Sequence, residues 1–307
     1  MSERAGDRPA VLLLGGSGQV GTELRRALAP RGAIVAPTHA ELDLTDVDAL
    51  RRMVRALAPR AIVNAAAYTA VDQAEREPAL AQAINADAPG ALAAEAARLD
   101  VPFVHYSTDY VFDGRSEVPY VEDAPTAPLN VYGATKLAGE RAVLGSGARA
   151  LVLRTSWVYG AHGRNFLATM LRLAERAGDA PVRVVGDQRG APTASGFLAD
   201  ATARMLAGAE AGGGWGLYHV AARGVTTWCD FARAIFAGAA QRGGRVPEVE
   251  RITTAEHGSP TRRPAYSVLD TTRAERTFGV VAEPWLAQLE RVLDARLGAP
   301  SLVPEPS

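Results

Sequence analysis

The stretch AVLLLGGSGQVGTELRRALAPRG, residues 10–32, decides the fold class. An apolar run ends at a glycine, and a segment with apolar residues at helical spacing follows until a proline and a glycine stop it. The pattern predicts a buried strand, a tight turn and a helix. Three glycines at three-residue spacing occupy the turn: Gly15, Gly18 and Gly21. A turn of this kind lets the backbone approach a phosphate group at the helix N-terminus, although such glycines alone also fit a plain tight turn.

The same alternation continues along the chain. Further strands are predicted in AIVAP, AIVNAAA, PFVHYSTDYVF and ALVLRTSWVYG, and helices in DVDALRRMVRALAP, at about 79–99 and around VYGATKLAGE. The strands are apolar throughout, which is typical of a parallel sheet covered on both faces. The sequence therefore predicts an α/β protein with a Rossmann-type, doubly wound parallel sheet.

The regular pattern weakens after about residue 160. We expect a dinucleotide-binding domain over residues 10–160, which also receives a later strand near 216–222, and a smaller substrate-binding domain over residues 161–298. Residues 1–9 and 299–307 are expected to be flexible termini. Ligands of open α/β sheets bind at the carboxyl ends of the strands, where the smaller domain would pack.

The composition favours an ordinary soluble globular protein. The chain has 307 residues, is 48% hydrophobic and 22% charged, and has a net charge of −1. This charge gives no field that would attract nucleic acid or an anionic membrane, and the N-terminal apolar run is too short to span a bilayer. Cys229 is the single cysteine, and no residues have the spacing of a zinc site. A cytoplasmic location is expected.

Residues around the first turn fit a dinucleotide cofactor. Gln19 and Val20 should line the glycine turn. No acid follows the second strand directly, so a cofactor with a 2′-phosphate would be tolerated beside Thr38 and His39. The other candidates are Asp43 and Leu44 at the adenine, and Ala65, Ala66 and Ala67 at a strand end. A purely structural role for these residues, in helix packing, remains an alternative.

The segment NVYGATKLAGE holds the only lysine among 33 basic residues. Lys136 follows Tyr132 by four positions, which places both on one helix face. Thr108 ends a buried strand, and together the three residues form the trio that a carbonyl reductase needs. Two hydroxyls would bind the substrate oxygen, and the ammonium would lower the pKa of the phenol from about 10 and hydrogen-bond the nicotinamide ribose.

Several motifs together resemble the extended short-chain dehydrogenase/reductase superfamily and, within it, the family of dTDP-4-dehydrorhamnose reductases. They are GGSGQVG, IVNAAAYTAVDQAE, VHYSTDYVFDG, PLNVYGATKLAGE, LRTSWVYG, DQRGAPT, GLYHVAA and RRPAYSVLD. The resemblance implies that Thr108, Tyr132 and Lys136 are catalytic and that Tyr110 lies beside the cofactor. It further implies that Asp109, Trp157 and Arg263 lie on the side of the nucleotide sugar.

The implied reaction is reduction of the C4 ketone of dTDP-4-dehydro-β-L-rhamnose by NADPH or NADH, which gives dTDP-β-L-rhamnose as the last step in making that sugar donor. The family also implies a homodimer and a magnesium ion held by carboxylates at the dimer contact. Glu23 is placed for one such acid, but Ser195, Gly196 and Phe197 stand where a second acid is expected. The sequence therefore assigns no metal ligand.

Two other functions compete with the reductase. A nucleotide-sugar epimerase or dehydratase would share the fold and the Tyr/Lys pair. In the family of dehydratases, however, the motif at this place resembles Thr-Asp-Glu, whereas this chain has Thr108, Asp109 and Tyr110 and so lacks the second acid. A non-catalytic, NADP-binding regulatory subunit is the second alternative. The intact trio and the segment RTSWVYG favour the enzyme.

Overall fold

The computed structural model describes residues 10–176 and 180–299. Its strands are β1 Val11–Leu14, β2 Ile34–Val35, β3 Ala61–Asn64, β4 Phe103–Thr108, β5 Ala150–Thr155, β6 Val158–Tyr159, β7 Val182–Val185, β8 Arg189–Gly190, β9 Thr193–Ala194, β10 Gly216–His219, β11 Thr226–Thr227 and β12 Val249–Ile252. Its α-helices are α1 Gln19–Leu28, α2 Val47–Leu57, α3 Val71–Ala74, α4 Pro78–Gln82, α5 Ala88–Leu99, α6 Val131–Leu144, α7 Phe166–Arg176, α8 Ser195–Gly208, α9 Trp228–Ala240, α10 Thr254–His257, α11 Thr272–Phe278 and α12 Trp285–Leu297. The predicted flexibility at residues 1–9 and 300–307 lies outside the described residues.

The central sheet has six strands in the order β10-β5-β4-β3-β1-β2, and all of its pairings are parallel. The chain moves outward from β1 to β2 and then returns to the other side of β1 with β3. This reversal creates a switch point between β1 and β3, where a crevice opens at the carboxyl ends of the strands. The predicted α/β class with a doubly wound parallel sheet is confirmed.

The sheet is covered on both faces, which explains why its strands are apolar throughout. Because successive side chains of a strand point to opposite faces, Val11 and Leu13 pack with α1, α8 and α11, whereas Leu12 and Leu14 pack with α2 and α5. The strands β1, β3, β4 and β5 are buried along their whole length. The crevice is thereby built on a rigid support.

The remaining elements form a second apolar cluster beside this sheet. Helices α7, α9 and α12 pack together around Tyr159, Phe231, Phe236 and Leu289, and β12 pairs with β7. Helices α8 and α11 and strand β10, which also come after residue 160, instead belong to the central sheet and its cover. The assignment of a substrate-binding domain to residues 161–298 stays a prediction.

Three predicted elements are shorter or less regular than the pattern suggested. The strand expected through ALVLRTSWVYG stops at Thr155 and resumes as β6, because Trp157 adopts a left-handed conformation with φ +47°. The strand through PFVHYSTDYVF ends at Thr108 and turns into a 3₁₀ turn, Asp109–Val111. The long alanine-rich helix contains a π-helical turn, Ala83–Asp87, between α4 and α5.

Candidate active site

A cavity of about 580 Å³ opens at the switch point of the sheet. The glycine turn after β1 and the alanines after β3 form one wall, and the side chains of α6 lie on another. The segment after β6 contributes Gly163 and Arg164. The cavity therefore joins the two sequence motifs that were singled out separately, the glycine turn and the Tyr/Lys pair.

Each of the three positions in the turn requires glycine for a different physical reason. Gly15 has φ +74°, and a Cβ on it would lie 2.6 Å from the Ala66 nitrogen. A Cβ on Gly21 would lie 2.0 Å from the Gly15 oxygen, so Gly21 allows α1 to pack against the turn. Gly18 is the N-cap of α1 and leaves the first amides of that helix open toward the cavity. Such amides and the positive end of the helix dipole suit a diphosphate.

Buried polar atoms in the cavity wall lack partners in the described part of the chain. They are Gln19 Oε1, Ser107 Oγ and Thr155 Oγ1. Buried polar atoms are normally hydrogen-bonded, so such atoms in a cavity wall indicate a polar ligand. Together with the glycine cradle, these atoms fit a dinucleotide lying along the carboxyl ends of β1, β3 and β4.

Helix α6 places its functional side chains by close backbone packing. The Gly133 N–H donates to Asn130 Oδ1 at 2.8 Å, which caps the helix at its start. A Cβ on Gly133 would lie 2.2 Å from the Tyr110 oxygen, and a Cβ on Gly139 would lie 2.1 Å from the Asn85 oxygen. The two glycines therefore let α6 approach its neighbours closely, and Tyr132 and Lys136 reach the cavity between them.

The Tyr132 phenol is held in its protonated form. Burial raises its pKa to about 12, the Thr108 hydroxyl acts in the opposite direction, and the Asp109 carboxylate adds to the rise. The lowering of this pKa that was expected from the Lys136 ammonium is not found, because burial outweighs it and the pKa rises. The Lys136 Nζ instead donates a hydrogen bond to the Tyr106 carbonyl oxygen at 2.6 Å.

Lys136 itself is a buried cation with few partners. Its side chain is 2% exposed, and burial lowers its pKa to about 8, with a smaller opposing effect of the Glu140 carboxylate. The Nζ lies 3.3 Å from His105 Nε2. A lysine with this pKa exchanges its proton close to neutral pH.

Asp109 is a second buried ionisable group near the reacting end. Burial raises its pKa to about 7, although the hydroxyls of Ser267 and Thr108 act in the opposite direction. The Thr108 hydroxyl donates to Asp109 Oδ1 at 3.0 Å, and Asp109 Oδ2 has no partner in residues 10–176 and 180–299. A carboxyl group with this pKa can be protonated or charged under working conditions.

Comparison with known proteins assigns the chain. A family model described as the RmlD substrate binding domain matches residues 9–297. The dTDP-4-dehydrorhamnose reductase of Burkholderia thailandensis is 45% identical over 284 residues, which cover 90% of this chain and 95% of that protein. The chain belongs to the dTDP-4-dehydrorhamnose reductase family.

Other members of the reductase family support the assignment. The enzyme of Escherichia coli K12 is 43% identical, with 92% of this chain and 97% of that protein covered. A crystal structure of the Bacillus anthracis reductase in complex with NADP has a TM-score of 0.87 and 34% identity and covers 94% of this chain and 99% of its own. The resemblance to this oxidoreductase family is confirmed.

The structure brings many of the residues predicted for the site to the cavity. The predicted residues that line it are Gly15, Gly18, Gln19, Val20, Leu44, Ala65, Ala66, Ala67, Tyr132 and Lys136. Gly21 lies behind the turn. Asp43 does not line the cavity, because its carboxylate turns back to accept from the Thr45 N–H at 2.9 Å.

The other predicted residues do not line the cavity. Thr108 and Asp109 are buried at the end of β4, and Tyr110 packs edge-on against Tyr132 with ring centroids 5.6 Å apart. Trp157 stacks on Trp228 at 3.6 Å. Arg263 forms an ion pair with Asp72 at 2.9 Å. The roles assigned to these residues stay predictions.

Sequence reasoning missed several residues of the cavity wall. Ser107 is the second-last residue of β4 and Thr155 is the last of β5, so a hydroxyl near the carboxyl end of a buried strand was a usable signal. His39 was considered only for a phosphate, and it does line the cavity. Arg164 gave no signal, since only the tertiary fold returns the segment after β6 to the glycine turn.

Two further observations concern metal and membrane. In residues 10–176 and 180–299, no group of three or more His, Cys, Asp and Glu side chains is arranged to hold a metal ion. Glu23 lies 3.5 Å from Arg26, and Gly196 faces it without offering a ligand. None of the described helices has the length and apolarity that a membrane crossing requires.

Proposed function

We propose that this protein reduces the C4 ketone of dTDP-4-dehydro-β-L-rhamnose to dTDP-β-L-rhamnose, the final step in making that sugar donor, with NADPH or NADH as the hydride donor. The observation that carries the proposal is the position of Tyr132 and Lys136 in the same cavity as the glycine turn. The reductase family to which the chain belongs supports the choice of substrate.

The cofactor would lie along the carboxyl ends of the central strands. The turn at Gly15 and Gly18 and the first amides of α1 would hold the diphosphate, and the small side chains of Ala65, Ala66 and Ala67 leave room for the cofactor against the backbone. When bound, the cofactor supplies the hydride. Leu44, which lines the cavity, and Tyr110, which packs against Tyr132, are proposed as further neighbours of the cofactor, whereas the Asp43 carboxylate would have to leave the Thr45 N–H to reach it. No acid directly follows β2, which supports acceptance of NADPH.

Tyr132 is the proposed proton donor. Because its pKa is raised to about 12, the phenol carries its proton at neutral pH and can donate it to the sugar oxygen as negative charge develops there. Thr108 would give a second hydrogen bond to the same oxygen. Asp109, Trp157 and Arg263 are proposed to contact the nucleotide sugar. Asp109 acts on the pKa of the Tyr132 phenol, and Arg263 acts on that of Tyr110, which packs against Tyr132, so both charges lie near the proposed proton donor.

The test is the activity of Tyr132→Phe. We expect kcat to fall by about 10²–10⁴-fold, because only the proton donor is lost, while the affinity for NADPH is retained. The readout is ketone-dependent loss of NADPH absorbance, with a fluorescence titration for binding. Tyr218→Phe is the matched control, since its hydroxyl contacts the Gly214 oxygen at 3.3 Å, away from the cavity.

Three outcomes would contradict the proposal. Full activity of Tyr132→Phe would show that another group protonates the sugar. Binding of NADPH by the unaltered protein without any ketone-dependent oxidation would instead favour a non-catalytic NADP-binding protein, and formation of an epimerised or dehydrated sugar would favour the related enzyme classes.

Three finer assignments concern assembly, metal and location. A homodimer is proposed from the family, and sedimentation of the purified protein tests it. No metal ligand is assigned, since Glu23 is a single acid without a second one beside it, and activity after chelation tests whether magnesium is needed. A cytoplasmic location is proposed, supported by the buried free thiol of Cys229.

A further inference from the structure

The Thr108 hydroxyl has a defined set of hydrogen bonds at the end of β4. Its oxygen accepts from the Tyr110 N–H at 3.2 Å, and its proton is donated to Asp109 Oδ1 at 3.0 Å. Thr108 is 5% and Asp109 2% exposed, so water does not compete for these contacts. A hydroxyl has one proton and two lone pairs, so these contacts use the proton and leave one lone pair of Thr108.

The charge of Asp109 therefore decides where Thr108 can donate. An ionised carboxylate only accepts, so it takes the single hydroxyl proton of Thr108. A protonated carboxyl group can donate to the remaining lone pair of Thr108 Oγ1, and the hydroxyl proton is then released to another acceptor. A ketone oxygen has only lone pairs, so it can be bound by the released proton and not by the engaged one.

We propose that Asp109 is a positioning residue whose neutral carboxyl group donates to Thr108 and thereby directs the Thr108 hydroxyl proton at the ketone oxygen of the substrate. The inference rests on the proposed reductase function, in which Thr108 gives the second hydrogen bond to that oxygen. The Thr108 hydroxyl lies near the proposed proton donor, because it acts on the pKa of the Tyr132 phenol. Asp109 keeps its own proton throughout, since it donates a hydrogen bond and transfers nothing.

The surroundings of Asp109 stabilise the neutral carboxyl group. Its Oδ2 has no partner in the described part of the chain, and an ionised oxygen left buried in this way is costly. Burial raises the pKa of Asp109 to about 7, and the groups that act in the opposite direction are hydroxyls and backbone N–H groups. The carboxyl group is therefore about half protonated at neutral pH, and its protonated fraction changes within the working range.

On α6, neither titratable group that faces this region brings a counter-charge to Asp109. The Tyr132 phenol is protonated at neutral pH, since its pKa is raised to about 12. The Lys136 Nζ donates to the Tyr106 carbonyl oxygen at 2.6 Å. Ionisation of Asp109 is therefore not compensated from this helix.

The segment 261–267 presents one hydroxyl and one cation. The Ser267 hydroxyl acts on the pKa of Asp109 without carrying a charge. The Arg263 guanidinium acts on the phenol of Tyr110, which follows Asp109, and forms an ion pair with Asp72 at 2.9 Å. Burial raises the pKa of that phenol, so it is neutral as well. The cation of this segment is therefore already paired.

Asp109→Asn is the first test, because an amide NH₂ group donates to Thr108 as a neutral carboxyl group does and cannot ionise. The readout is kcat/KM for ketone-dependent NADPH oxidation against pH. We expect the rate ratio of the variant to the unaltered protein to rise about tenfold between about pH 6 and pH 8. Other ionisations, such as that of Lys136, cancel in this ratio. A ratio that does not change with pH, or a folded but inactive variant, would overturn the proposal.

Thr108→Val tests whether Asp109 acts through Thr108. Valine keeps the branched shape and removes the hydroxyl, so this variant should be slower at every pH. In the Thr108→Val background, adding Asp109→Asn should leave the pH dependence of kcat/KM unchanged, because no hydroxyl proton is left to direct. If the rate ratio still rose with pH, Asp109 would act on the sugar itself, and its positioning role would be overturned.

Glu122→Gln is the matched control for the loss of a buried acid. Glu122 is also buried and its pKa is also raised by burial, but its carboxylate accepts from the His219 N–H at 3.0 Å and does not line the cavity. The rate ratio of this variant to the unaltered protein should not change with pH. A rise equal to that of Asp109→Asn would mean that the effect does not depend on contact with Thr108, and would overturn the proposal.

A measurement on the unaltered protein covers the case in which the variants do not fold. With [¹³Cγ]aspartate, the carboxyl resonance of Asp109 should titrate at about pH 7 instead of the ordinary 3.8. If every aspartate resonance had titrated by about pH 5, the neutral form would be absent at working pH and the proposal would be overturned.

The two proposals fail in different ways. The absence of ketone-dependent NADPH oxidation at any pH would refute the reductase function, and with it the role of Thr108. An active protein whose rate ratio to Asp109→Asn stays constant with pH would refute only the role of Asp109.

Discussion

The burial of Lys136 decides what an arginine could do in its place. The side chain is 2% exposed and its Nζ has one strong acceptor, the Tyr106 oxygen at 2.6 Å. A guanidinium is broader and brings five donors, which this buried site cannot all satisfy. We expect kcat of Lys136→Arg to be about 10²-fold lower, because the broader side chain would be displaced and a displacement of about 1 Å in a catalytic group has such an effect.

The measurement is kcat, NADPH affinity and melting temperature on one purified variant. Arg141→Lys is a matched control, since it exchanges the same two residue types on the exposed side of α6 and should change none of the three. Normal turnover of Lys136→Arg would show that position 136 needs only a positive charge.

Single residues were predictable where the chemistry is local. Tyr132 and Lys136 were found from their spacing alone, because four positions on a helix share one face. The pKa values were not predictable. The raised pKa of Tyr132 and the lowered pKa of Lys136 both come mainly from burial, which depends on strands distant in the sequence.

At the scale of elements, the close approach of α6 to its neighbours depends on glycine. A Cβ at position 139 would lie 2.1 Å from the Asn85 oxygen in the π-helical turn, and neither backbone can yield easily. We expect Gly139→Ala to destabilise the protein by about 1–3 kcal/mol and to lower kcat by displacing Lys136.

Urea unfolding and turnover measure the two effects. Gly90→Ala is the control, because its new Cβ would meet only the Ala142 methyl at 3.1 Å, and alanine favours the helix by about 1 kcal/mol. If Gly139→Ala were as stable and as active as Gly90→Ala, the close packing of α6 would have no role in the site.

The order of the elements was predictable, but some of their ends were not. Apolar runs and glycine or proline stops gave the alternation of strands and helices. The break at Trp157 escaped prediction, since a left-handed tryptophan is uncommon and its stacking partner, Trp228, is distant in the sequence. The π-helical turn was equally hidden, because its packing partner Gly139 comes from another helix.

At the scale of the whole molecule, one buried ion pair joins α6 to the sheet. Arg154 of β5 donates to both oxygens of Glu140 at 2.8 and 2.7 Å and also to the Glu122 carbonyl oxygen at 3.2 Å. Both charged side chains are at most 4% exposed. We expect Glu140→Gln to destabilise the protein by roughly 3–5 kcal/mol, because it leaves a buried guanidinium without its counter-charge.

Urea unfolding measures the loss of stability, and a double variant tests whether the unpaired buried charge causes it. Replacing both partners, Glu140→Gln with Arg154→Met, should recover part of the lost stability, because no buried charge is left unpaired. Glu95→Gln is the control, since its partners Arg55 and Arg98 are about half exposed and can turn to water. Equal losses for Glu95→Gln and Glu140→Gln would contradict the argument from burial.

The sequence predicted the parallel sheet but not how the later segments join it. Continuous apolar strands indicated a sheet with two covered faces. The packing of α8 against α1, and thus its place on the sheet, depends on contacts between residues far apart in the chain, and no local pattern records them. The division into two domains therefore stays a prediction.

The stacked indoles have an optical consequence. Trp157 follows the sheet strand β5, whereas Trp228 begins α9 in the second cluster, and their rings are nearly parallel at 8° with centroids 3.6 Å apart. Two chromophores this close share their excited states, so the pair should give an exciton signal in circular dichroism that neither indole gives alone. The amplitude of this signal would report how the second cluster sits against the sheet, during a melt or a ligand titration, with no label attached.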